Sequence, residues 1–210
     1  MKKELRLQVV EAARRMNASG INQGKSGNLS VRTEGGFLVT PTGVPYERLV
    51  PEDLALVHPD GAHEGPRAPS SEWRFHRDIY VTRPEANAVV HCHSPYATTL
   101  ACLRRGIPAF HYEVAFAGAA DIACADYATF GTQALSDAAL AALAGRRACL
   151  LANHGQIAIG ANLEAAFVLA EKVEALARMY WQALQIGEPT ILDAAEMARV
   201  LEKFKDYGRH

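Results

Sequence analysis

Within residues 70–93 the chain gathers two hydroxyls (Ser70, Ser71), a carboxylate (Glu72) and two imidazoles (His91, His93). Residues 86–90, which lead into the histidines, read as a short buried strand, small, apolar and rich in β-branched valine. Side chains on a strand alternate faces, so His91 and His93 are expected to point the same way. Two imidazoles at that spacing chelate a metal once a third ligand arrives from elsewhere. The alternative is a pair of ordinary surface or core histidines. Ser70-Ser71-Glu72 stand before an expected helix running from Trp73 to about Thr82, ahead of Pro84. A helix start with two hydroxyls can hold an oxyanion or a phosphate, or the hydroxyls can simply cap the helix.

His154 follows a second buried strand, residues 149–152, and precedes a glycine, which makes it the candidate third ligand. Three histidines with an open position describe a catalytic rather than a structural zinc site. Glu72 could close that coordination sphere or stand beside it as a base. A divalent cation next to a carboxylate can polarise a carbonyl and stabilise an enediolate while the carboxylate moves the α-proton. The hydroxyls of Ser70, Ser71 and Thr42, with Asn28 and the Gly43 N–H, could collect a phosphate nearby. Together these residues point to metal-assisted carbon–carbon bond chemistry on a small phosphorylated keto compound. Gly24-Lys25-Ser26 is not a phosphate-binding P-loop: Ser19 stands where the first glycine is needed, and a helix precedes it where a strand should. The loop over residues 22–30 still offers glycine-exposed N–H groups to an anion, or forms only a tight turn into a strand.

The elements that must position these groups follow from periodicity and punctuation. A helix over 3–19 is closed by Gly20. A hairpin joins 29–32 to 36–40, and residues 54–57 form another strand. His63 falls in a polar loop and is expected to be solvated. After His93 a helix runs from Pro95 to about Arg105, and residues 109–116, with His111, Tyr112 and Glu113, read as a strand. The loop 127–132 precedes a helix to about Leu143. Residues 157–159 continue as a strand, and Asn162 caps a long helix from Leu163 to about Ile186, with Glu164 in its first turn. A last helix covers 194–204. The fold class expected is α/β, with a central, largely antiparallel sheet flanked by helices in one domain over residues 1–210.

The bulk composition narrows the partners. With 210 residues and 49% apolar content the chain can bury a sizeable core. A net charge of -1 gives no electrostatic reason to expect nucleic acid or an anionic membrane, and no apolar run is long enough to span a bilayer. Cys92, Cys102, Cys124 and Cys149 form no C-x-x-C pair, which argues against a zinc ribbon or disulfide framework and fits a reducing cytoplasm.

A series of separated motifs then carries a resemblance. They are Gly27-Asn28-Leu29-Ser30, Thr40-Pro41-Thr42-Gly43, Pro69-Ser70-Ser71-Glu72-Trp73-Arg74-Phe75-His76, Ala88-Val89-Val90-His91-Cys92-His93, Tyr127-Ala128-Thr129-Phe130-Gly131-Thr132, His154-Gly155 and Leu201-Glu202-Lys203-Phe204-Lys205-Asp206-Tyr207-Gly208. In that order the chain resembles the class II aldolase and adducin-head family, and within it the branch acting on L-fuculose 1-phosphate. The resemblance implies a three-layer fold and Zn²⁺ held by His91, His93 and His154. It makes Glu72 the acid/base that also approaches the metal, and it puts Asn28, Thr42, Gly43, Ser70 and Ser71 at a phosphate. Tyr112 and Tyr207 resemble tyrosines lent by a neighbouring subunit of a cyclic homotetramer, and Phe130 and Phe204 resemble the wall around the aldehyde's methyl end. The implied reaction is reversible cleavage of L-fuculose 1-phosphate, or a related ketose 1-phosphate, to dihydroxyacetone phosphate and L-lactaldehyde.

Other sugar-phosphate enzymes share the scaffold: further ketose-1-phosphate aldolases, pentulose-phosphate 4-epimerases and 3-oxo-acid phosphate decarboxylases. The epimerases tend to carry aspartate at the position of Glu72, which favours aldolase. The intact histidine set speaks against a non-catalytic adducin-like interaction module. Lys25, Glu113 and Asn153 depart from the expected pattern, Lys25 adding positive charge near the phosphate.

Overall fold

The structure, a computed structural model, describes residues 2–206. Its centre is an eight-stranded sheet built from β1 (Asn28–Thr33), β2 (Gly36–Val39), β3 (Ala55–Val57), β4 (His63–Glu64), β5 (Ala88–Cys92), β6 (Cys124–Ala125), β7 (Ala148–Leu151) and β8 (Gly155–Gly160). The strand order is β4-β3-β2-β1-β5-β8-β7-β6. Every pairing is antiparallel except β6 with β7, so the sheet is mixed and mostly antiparallel. The helices are α1 (Lys2–Ala18), α2 (Trp73–Thr82), α3 (Pro95–Cys102), α4 (Gln133–Ala142), α5 (Leu163–Ile186) and α6 (Ala194–Asp206).

The pleat divides the core into two layers. Ala88, Val90 and Cys92 of β5 and Ala158 of β8 join Val9 and Met16 of α1 and Phe167 and Val173 of α5 on one face. Val89, Ile157 and Ile159 join Phe75 and Ile79 of α2 and Leu135 and Ala139 of α4 on the other. Helices on both faces of one sheet make three layers. Central strands covered on both sides must be apolar along their whole length, as residues 148–151 and 88–90 are. Each fully buried valine or leucine there stabilises the fold by roughly 1.5–3 kcal/mol.

The α5 boundaries match expectation because Asn162 accepts a hydrogen bond from the Ala165 N–H at 2.8 Å and fixes the first turn. Three expectations are corrected. Residues 109–116 are not a strand: Tyr112–Ala117 form a 3₁₀ turn, with His111 Nδ1 accepting from the Glu113 N–H and Gly118 closing the turn at φ 83°. That run has no alternation of polar and apolar residues, and the turn buries Val114 and Ala117, three positions apart, on one side. His63 is exposed, as expected, but sits on the short edge strand β4 rather than in a loop. The helix after His93 stops at Cys102 because Arg104 adopts a left-handed backbone, φ 52°. No helix among the described residues is long and apolar enough to cross a membrane.

Candidate metal centre and active site

β5 carries His91 within the sheet, and His93 follows immediately after its last residue. The turn between β7 and β8 brings His154 to them. Asn153 takes the left-handed backbone (φ 55°), which asparagine tolerates well, and so aims the next residue inward. Gly155 is required at the following position, since a Cβ there would lie 2.5 Å from the Cys92 carbonyl and 2.9 Å from the His93 ring. The three rings then meet edge to face with centroids 4.8–4.9 Å apart. Their ligand nitrogens lie within 4.8 Å of one another, and His91 Nε2 is 3.1 Å from His93 Nε2.

The protonation pattern suits a cation. His91 Nδ1 donates to the Gln156 carbonyl at 2.8 Å across the β5–β8 pair, which leaves Nε2 facing the other imidazoles. Burial, with the neighbouring imidazoles, pushes His93 down to about 3 and His154 to about 4, so both are neutral near pH 7. Glu72, the residue before α2, is 5% exposed. Its Oε2 is 3.2 Å from His91 Nε2 and its Oε1 3.4 Å from His154 Nε2. Oε1 has no hydrogen-bond partner although it is buried. Burial alone would raise this carboxyl, but His91, His154 and Asn28 outweigh it and hold it down at about 2. An unpartnered buried carboxylate oxygen beside three convergent imidazoles is a donor set that fits a divalent metal.

A cavity of about 480 Å³ opens onto this cluster, lined by Glu72, His93 and His154 on one side. Thr42, Gly43, Ser71 and Phe130 line it as well, which brings four of the expected substrate residues together. Lys25 also lines it, from the glycine-bearing loop before β1, with its Nζ 3.4 Å from the Gly43 carbonyl. That loop is held by Gly27, where a Cβ would come within 2.6 Å of the His91 carbonyl, and by the Tyr46 hydroxyl, which donates to the Gly27 carbonyl.

The other expected residues lie elsewhere. Ser70 is buried behind the wall, its Oγ accepting from the Glu72 N–H at 3.3 Å. Asn28 is buried beneath Glu72, to which it donates at 3.0 Å. Tyr112 and Phe204 line a different cavity, with rings stacked 6.3 Å apart. Tyr207 lies outside the described residues. Sequence reasoning gave no role to Tyr127, which lines the histidine cavity, to Gln156, whose carbonyl orients His91, or to His76, which is hydrogen-bonded to Asn28. Only His76 left a local signal, standing four residues after Glu72 on the same helical face.

Known proteins share this sequence pattern and shape. A family profile described as the Class II Aldolase and Adducin N-terminal domain matches residues 7–181. The chain is 57% identical over 204 residues to a 5-methylthioribulose-1-phosphate/5-deoxyribulose-1-phosphate aldolase of Rhodospirillum rubrum, covering 97% of this chain and 92% of that one. It is 49% identical over 206 residues to an L-fuculose phosphate aldolase of Escherichia coli, covering 98% and 96%. A solved L-fuculose 1-phosphate aldolase superposes with a TM-score of 0.93 at 40% identity, covering 96% of each chain.

Proposed function

The chain belongs to the class II aldolase and adducin N-terminal domain family, as a class II aldolase of the fuculose-phosphate aldolase type, and from that premise we propose that it reversibly cleaves a ketose 1-phosphate between C3 and C4. The products are dihydroxyacetone phosphate and a short aldehyde with an apolar end. The observation that carries this reading is the buried, unpartnered Glu72 Oε1 beside three convergent imidazoles at the floor of a cavity that Lys25 also lines.

His91, His93 and His154 hold the metal, for which we propose Zn²⁺, with Glu72 able to approach it. When bound, the ion polarises the ketose carbonyl and offsets the negative charge that develops during bond cleavage. The chain's own groups do the rest. In the condensation direction the ionised Glu72 takes a proton from the hydroxymethyl carbon of dihydroxyacetone phosphate. In cleavage the C4 hydroxyl gives its proton to the ionised Glu72, the C3–C4 electron pair passes to C3 as the C4 carbonyl forms, and Glu72 delivers that proton to C3. The phosphate lies against Ser71, Thr42 and the Gly43 N–H with Lys25 as counter-charge, and Ser70 and Asn28 support it from beneath. Phe130 packs against the apolar end of the aldehyde. Tyr112, Phe204 and Tyr207 serve the site of a neighbouring subunit in a cytoplasmic homotetramer. Support for this last point is that Tyr112 is half exposed and lies outside its own chain's histidine cavity.

L-Fuculose 1-phosphate, which yields L-lactaldehyde, is one substrate of this type. The relative at 57% identity favours a second reading, in which 5-methylthioribulose or 5-deoxyribulose 1-phosphate is the better substrate. All three share the phosphorylated half and an apolar tail, and one methyl changes discrimination by only about 1–3 kcal/mol in an apolar pocket. A product assay of metal-loaded protein across these three ketose phosphates tests the reading. Release of dihydroxyacetone phosphate from at least one supports it, the ratio of kcat/KM values ranks the aldehydes, and no release from any rejects it.

A further inference from the structure

Behind Glu72 a line of buried side chains crosses from the active site to the far end of α2. Asn28 Nδ2 is 3.0 Å from Glu72 Oε2, and Asn28 Oδ1 is 2.6 Å from His76 Nε2. His76 Nδ1 is 2.7 Å from Ser30 Oγ, which lies 2.8 Å from the Tyr80 hydroxyl. His76 and Ser30 have no exposed surface, and Asn28 and Tyr80 are nearly covered.

Donor and acceptor rules fix the direction of the chain from its catalytic end. A carboxylate only accepts, so Asn28 must present its NH₂ to Glu72 and its carbonyl oxygen to His76. That oxygen also only accepts, so His76 carries its proton on Nε2. The neutral ring then accepts at Nδ1 from the Ser30 hydroxyl, and Ser30 accepts from Tyr80. Burial, which pushes His76 down to about 3, agrees with a neutral ring. The arrangement is a brace and not a proton path, because an amide in the middle cannot hand a proton on.

We propose that His76 is a positioning residue for Glu72, acting through Asn28. Its Nε2–H selects the amide orientation in which NH₂ meets the carboxylate; the opposite orientation would set two acceptors against each other. The proposal rests on Glu72 being the acid/base, and it adds a residue that touches neither substrate nor metal ligand.

The test is a double-mutant cycle on the metal-loaded enzyme, with metal content and thermal melting as folding controls. His76→Leu should lower kcat by roughly 10–100-fold, the range found for outer-shell partners of metal sites, and change KM little. His76→Gln, which keeps an N–H donor, should recover part of the loss. In the Glu72→Gln background His76→Leu should cost nothing further, because no acid/base remains to be positioned. An equal loss in both backgrounds, or a loss confined to KM, overturns the proposal. If His76→Leu does not fold, Ser30→Ala takes its place, since it removes the donor to Nδ1 that holds the tautomer, together with the acceptor of the Tyr80 hydroxyl; unchanged kcat in that variant also overturns it. Retention of activity by Glu72→Gln itself would instead reject the underlying assignment of the acid/base.

Discussion

Asn28 and His91 stand directly opposite one another in the β1–β5 ladder, and both side chains end on the same carboxylate, that of Glu72. Residues paired across a ladder project from the same face, so the register of two strands places the donor amide and the imidazole around one acidic group. Glu72→Gln keeps an oxygen for Asn28 but removes the group proposed to move the proton. Turnover is expected to fall by roughly 10²–10⁴-fold, with metal content and melting temperature close to wild type. Exchange of the α-proton of dihydroxyacetone phosphate with solvent is the direct measurement. Exchange at the wild-type rate in Glu72→Gln would place the base on another residue.

Metal content should depend on all three histidines. His91 is oriented by the Gln156 carbonyl and has no exposed side-chain surface, so nothing mobile can replace it. Elemental analysis of purified His91→Ala is expected to show loss of a divalent ion present at about one per chain in the wild type. An undiminished ion in that variant would refute the three-histidine site.

Much of this site is legible in the sequence, for physical reasons. The His91-x-His93 pair at the end of a strand brings two imidazoles to one face through a period of two residues, and the cap residue Asn162 fixes where α5 begins. The 3₁₀ turn at Tyr112 is not legible, because the aromatic residues and valine of that run suit a strand by type and a His111 cap decides for the turn. β6 is two residues long and exists through its pairing with β7, a contact that no local pattern encodes. The brace behind Glu72 is hidden for the same reason: His76 and Asn28 are 48 positions apart and meet only because α2 packs over β1.

The phosphate reading makes Ser71 selective. Ser71 lines the cavity together with Thr42, Gly43 and Lys25, whereas Ser70 is turned behind it. Hydrogen bonds from a hydroxyl to a phosphate are charge-assisted and worth roughly 1.5–3 kcal/mol. Ser71→Ala should therefore weaken binding of a phosphorylated ketose by about that amount, and of the unphosphorylated sugar hardly at all. Calorimetric titration of both ligands decides the matter, and equal weakening would remove Ser71 from the phosphate site.

Stability of the metal-free protein should fall with pH in a window set by its buried neutral histidines. His76 is depressed from 6.5 to about 3 by burial. Above 6.5 neither folded nor unfolded chains protonate it and its contribution is fully present. As pH falls below 6.5 the unfolded chain takes up a proton that the folded chain refuses, and stability is lost until the folded value is reached. One such proton changes stability by about 1.4 kcal/mol per pH unit. His76→Gln should accordingly show a shallower decline between pH 6 and about 4.5 than wild type in urea titrations. Parallel declines would mean that His76 is protonated in the folded state.

Assembly supplies the last prediction. Tyr112 is 51% exposed and stacks on Phe204, and with Phe110, Leu192 and Val200 the two rings line an apolar cavity of about 700 Å³ between the 3₁₀ turn and α6. Neither ring lines the histidine cavity of its own chain. If a neighbouring subunit closes over this region, each active site combines Glu72 of one chain with Tyr112 of another. Glu72→Gln and Tyr112→Phe chains would each be poorly active alone. After subunit exchange at equal concentrations, roughly a quarter of the boundaries would pair an intact Glu72 with an intact Tyr112. Activity should then rise well above that of either variant, by an amount that follows the exchanged fraction measured by native mass spectrometry. Complete exchange without recovery would confine each site to a single chain and leave Tyr112 with a packing role on Phe204.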